Sequence, residues 1–84
     1  MTTESIVFVG GEVSRPKPTV ASLVQSAIEW QWLAELHFAE AQAAAETGNI
    51  ELAIEQNRFA ENKLATARVR LIEARELRAM ERGS

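Results

Sequence analysis

Alanine recurs every seven residues in two separate runs of this chain, at Ala27, Ala34 and Ala41 and again at Ala53, Ala60, Ala67 and Ala74. A seven-residue repeat keeps one helical seam turned toward a neighbouring helix. Alanine on that seam lets two backbones approach toward the short end of the usual range of about 8–10 Å. Between the runs stand Gly48 and Asn49, and glycine suits the left-handed position that closes a helix. A loop this short makes the flanking helices antiparallel neighbours. The expected fold is therefore all-α: an antiparallel two-helix hairpin with an alanine-rich seam.

The hairpin occupies residues 19–84. Its first helix spans 19–47, with Thr19 as N-cap just after Pro18, in a run rich in Ala, Leu, Glu and Gln. After the turn at 48–49, the second helix spans 50–82. Asn49 is its N-cap, Glu51 lies in its first turn, and Arg75, Arg78 and Arg82 crowd its far end, as the helix dipole favours. Beside the alanines, Leu23, Trp30 and His37 are expected to fill the alternate seam positions of the first helix. Ile50, Leu64 and Leu71 would do so on the second, with Asn57, flanked by Ile54, as a buried polar residue able to pair with His37. Folding at Gly48 should bring Ala34 near Ala60 and Ala27 near Ala67.

Residues 1–18 read differently. Ile6-Val7-Phe8-Val9 is a short β-prone run followed by Gly10-Gly11, a hairpin signal. Arg15-Pro16-Lys17-Pro18 then forms a stiff linker, because each proline lacks an N–H and restricts the residue before it. The segment is expected to be extended or β-hairpin-like. In that form Ile6, Val7, Phe8 and Val9 could add a strand to a partner's sheet edge. The alternatives are a loosely docked tail or a cover for Trp32 and Leu36.

A hairpin of this size cannot use all its apolar residues. Ile28, Trp32, Leu33 and Leu36 lie off the seam of the first helix, and Phe59 and Val69 off that of the second. A helix apolar nearly all round is buried on most sides. With two helices there is no third layer, so these six residues form the expected interface. The simplest cover is a second copy, giving a twofold dimer that is a four-helix bundle.

Composition removes several classes. The 84 residues hold no cysteine, so neither disulfides nor a cysteine zinc site staples the fold. His37 is the single histidine, and the glutamates around it lack metal-ligand spacing. No phosphate-binding loop, nucleophile elbow or carboxylate pair in a cleft is present, so no cofactor and no catalysis are expected. The N-terminus lacks a basic and apolar leader, and the charge-free stretch from Pro18 to Ile28 is too short to span a bilayer. A soluble, cytoplasmic protein is the expectation.

Charge is segregated along the chain. Glu29, Glu35, Glu40, Glu46, Glu51 and Glu55 share a stretch without lysine or arginine, while Arg68, Arg75, Arg78 and Arg82 mark a basic end. Glutamates interrupt the arginines, and no aromatics lie among them to stack bases, so nucleic acid is the less favoured partner at a net charge of −3. The stretch from Ala41 through Gly48 and Ala53 to Ala60 resembles one tetratricopeptide helix pair. It covers a single repeat, with Glu40 where that repeat has a large apolar residue, and such repeats are normally stacked in threes. The resemblance implies hairpin geometry and no array.

These readings lead to one expected function, a small non-catalytic protein–protein interaction module acting as a homo-oligomer. It would serve as an adaptor or inhibitor, of the kind found among accessory factors of viruses and mobile elements. A nucleic-acid-binding or nucleic-acid-mimicking protein is the first alternative, and a structural component of a larger assembly the second.

Overall fold

A computed structural model describes residues 17–83. Within them the chain forms two helices, α1 (Val20–Glu46) and α2 (Ile50–Arg82), packed against each other as a hairpin. No strand occurs among the described residues. The run Ile6–Val9 and most of the proline linker lie outside them.

Both ends of α1 are closed by their own side chains and turn. The Ser22 backbone N–H donates to Thr19 Oγ1 at 3.0 Å, and the Thr19 N–H donates to Ser22 Oγ at 2.9 Å. This reciprocal capping box satisfies helix-end donors that would otherwise face water. At the other end the Gly48 N–H donates to the Ala45 carbonyl at 3.0 Å and the Asn49 N–H to the Ala44 carbonyl at 2.8 Å. That pair of bonds is a Schellman closure, and it needs a left-handed residue at Gly48, whose φ is +82°. Asn49 then serves twice, because its Oδ1 accepts from the Leu52 N–H at 3.2 Å and starts α2. Three residues thus reverse the chain.

A methyl group at position 48 would meet nothing within 4 Å. The cost of Gly48→Ala is therefore purely conformational, about 1–2 kcal/mol. Gly48→Asn should cost less, since asparagine tolerates the left-handed region. Urea unfolding of the two variants against the parent measures the difference.

The core is the alanine seam. Ala27, Ala34 and Ala41 on α1 and Ala53, Ala60, Ala67 and Ala74 on α2 are all buried, and Ala44 joins them near the turn. No side chain larger than alanine is fully buried among the described residues. His37 stands beside Gln56, and seven residues along each helix Trp30 stands beside Lys63. These two contacts set the register, which places Ala34 level with Ala60 and Ala27 level with Ala67.

The flank of α2 differs from expectation. Ile50 is 66% exposed, and Ile54, Asn57 and Leu71 are exposed as well, leaving only Leu64 partly covered on that side. The half-buried flank instead runs through Gln56, Lys63, Arg70 and Leu77. The reason lies on α1: Trp30 and His37 lean over that side of the seam and cover it. Further along, Leu77, expected away from the seam, is half-buried beside Leu23 of α1 and the preceding Pro18. The pairing partner of His37 is accordingly Gln56 and not Asn57.

Candidate interaction surface

The seam divides the hairpin into two broad sides with different character. On the first side, Trp30, Leu33 and His37 of α1 face Gln56, Phe59 and Lys63 of α2. His37 Nδ1 and Gln56 Oε1 are 2.6 Å apart; with the amide oxygen accepting, Nδ1–H donates. The His37 and Phe59 rings stand 5.6 Å apart, tilted by 60°. Lys63 Nζ lies 5.5 Å from the centre of the Trp30 ring, within reach of a cation–π attraction. Further along, Arg70 pairs with Glu73 at 3.3 Å. The pair is solvent-exposed, so its stabilisation is small. Polar atoms of the chain itself therefore dress much of this side. An open groove on it is lined by Leu33, Leu36, His37 and Glu40 with Gln56.

Among the described residues, no polar contact between the two helices dresses the second side. Its inter-helix groove is lined by Gln31, Leu64, Arg68 and Leu71. Ile28, one residue past Ala27, stands about 100° round the helix on the side of the seam opposite Trp30 and His37. Trp32, four further on, stands about 140–160° from the alanine row, at the outer edge of that side toward the back of α1. Trp32 is 60% exposed, and Ile28, Phe38, Ile54 and Leu71 are exposed with it.

The six residues expected as one interface are all exposed, but they do not form one patch. Ile28 and Trp32 belong to the second side, and Leu33 and Phe59 to the first. Leu36, 64% exposed, lies where the first side meets the back of α1, at the outer rim of the groove beside Leu33, and Val69 lies along the back of α2. The exposed apolar surface also includes Phe38, Ile50, Leu52, Ile54, Leu71 and Met80, which the sequence reading did not place in the interface. Helix phase carries a signal for Leu52, Ile54 and Met80, each about 100° or more from the alanine row. Phe38, Ile50 and Leu71 stand only about 40–60° from that row, so phase alone does not expose them.

The charge distribution follows the fold. Glu35, Glu40, Glu46, Glu51 and Glu55 surround the turn end, where Arg58 is the one lysine or arginine among the described residues. At the open end Lys17, Lys63, Arg68, Arg70, Arg75, Arg78 and Arg82 outnumber the glutamates. Arg68, Arg75, Arg78 and Arg82 are exposed there. Pro18, Leu23, Leu77 and Met80 line a third, more apolar groove at this end, with Glu73 and Glu76.

Among the described residues, no three His, Cys, Asp or Glu side chains converge as metal ligands would. No helix there is long and apolar enough to cross a membrane.

The chain matches no family model, no curated protein and no solved structure. What supports a function is thus the surface itself.

Proposed function

We propose that this chain is a non-catalytic protein–protein interaction module, an adaptor or inhibitor that works as a self-associated helical hairpin. One observation carries the reading: among the described residues only alanines are fully buried, while large apolar side chains lie open on both sides of the hairpin. Each buried alanine methyl contributes on the order of 1 kcal/mol, a thin core for a domain of this size. Exposed apolar surface of this kind marks interaction sites, and aromatic residues such as Trp32 and Phe59 are favoured at their centres. A twofold dimer covers one side of each protomer. The other side then remains to dock a foreign protein. Glu73, Glu76 and Glu81 among the exposed arginines of α2 favour a protein over a phosphate backbone as that client.

Light scattering across a dilution series tests the reading. The expected mass is twice the 9.3 kDa of one chain, with helix content falling on dilution to the point of dissociation, as linked folding and association require. A stable monomer at every concentration would sink self-association. Growth without a fixed stoichiometry would favour a structural assembly.

A further inference from the structure

We propose that the side carrying Ile28, Trp32 and Leu71 is occupied by a second copy of this chain, docked antiparallel, with the turn of one hairpin beside the open end of the other. The inference rests on the self-association proposed above and adds its face and its direction.

The direction follows from charge. In a parallel dimer the glutamates surrounding the two turns would lie side by side, with Arg58 of each copy as the one cation near them among the described residues. Like charges brought together at an interface disfavour that arrangement. Reversing one copy sets each acidic turn end against a basic open end, so the end-to-end repulsion becomes attraction.

The face follows from what the chain already covers. On the side of Trp30 and His37, the Lys63 ammonium, the Gln56 amide and the Arg70–Glu73 pair make intrachain contacts. On the opposite side the apolar residues have no such cover, and Glu61 and Arg68 have no ion pair within the chain among the described residues. Both lie on the Leu64 side of α2, Glu61 three residues before Leu64 and Arg68 four after it. A twofold axis crossing the hairpin at the level of Leu64 lays α2 antiparallel on its copy. It brings Glu61 of each protomer level with Arg68 of the other, so both charges meet an opposite one twice per dimer. The same axis crosses α1 at the level of Glu29 and Trp30, which stand beside Leu64 and Lys63 in the hairpin, so Ile28 comes near the centre of the contact between the two copies of α1 and Trp32 lies at its edge.

The chain has no native cysteine, so a spin label at Glu46→Cys, an exposed position at the end of α1, reports the direction cleanly. The antiparallel dimer predicts a label separation on the order of 45–50 Å, set by the helix rise over the hairpin length. A separation below about 20 Å, as two adjacent turns would give, overturns it. Charge exchange reports the face. Glu61→Arg and Arg68→Glu should each weaken dimerisation about tenfold, and the double variant should restore it. A dimer whose affinity ignores both single variants, or that the double variant fails to rescue, overturns the face. A monomer by light scattering overturns the underlying self-association instead, so the two failures are separable. Both positions are exposed, and unchanged helix content by circular dichroism confirms that the variants still fold.

Discussion

Replacing Ala60 by leucine should cost about 3 kcal/mol, the upper part of the range for overpacking a close-packed contact. Ala60 is 0% exposed, at the middle of a seam whose facing residue on α1 is also alanine. The added carbons have no empty space to enter, so α1 and α2 must separate or the new side chain must leave its rotamer well. Separation would uncover Ala34, Ala53 and Ala67 together, because one rigid helix carries all the contacts on its side. Ala65→Leu is the control. It lies five residues on in the same helix, is exposed, and makes the same change in helix propensity, so its effect should stay within about 0.5 kcal/mol. Urea or thermal unfolding of the two variants measures the contrast. Equal effects would show that the seam is not the tight contact described.

The second large effect is expected at Trp32, and its sign separates two pictures of the molecule. Within one chain Trp32 is mostly exposed, so Trp32→Ala removes little packing and gains a few tenths of a kcal/mol of helix propensity. A lone hairpin would be unchanged or slightly stabilised. In the proposed dimer Trp32 is an aromatic anchor that closes over the copy of α1 at the edge of the interface, within about three residues of the level of the twofold axis. Truncating such an anchor commonly costs about 2 kcal/mol or more, so the dissociation constant should rise about thirtyfold. Sedimentation or light scattering near the parent's dissociation constant reads this directly. A variant as tightly associated as the parent would remove Trp32 from the interface.

Much of the fold was legible because a few residues have one good structural use. Gly48 is the residue best suited to a left-handed closure, Asn49 and Thr19 are strong caps, and a seven-residue alanine repeat has no simpler purpose than a helix seam. What the pattern left open was the side of the seam. Alanine carries no direction, so the neighbours three before each alanine of α2 and those three after it were equal candidates. The choice between Ile50, Asn57, Leu64 and Leu71 on one flank and Gln56, Lys63, Arg70 and Leu77 on the other is made by Leu23, Trp30 and His37 across the groove. Those contacts belong to tertiary structure and leave no trace in the periodicity of α2. The interface was blurred for a related reason. From Val20 to Phe38 the first helix is apolar nearly all round, so periodicity alone could not divide Ile28 and Trp32 from Leu33 or Leu36.

The two alanine rows also have a phase relation that bears on misassembly. From Ala41 to Ala53 the step is twelve positions, not a multiple of seven. Were the helix to run unbroken through Gly48, the rows would emerge about 120° apart around one long rod. Two such rods exchanging halves could not bury both rows against a single straight neighbour. The reversal at Thr47–Asn49 brings them face to face within one chain. Domain swapping is a common hazard where a short hinge joins two like elements, and here the offset between the rows works against it, whatever residue stands at the turn.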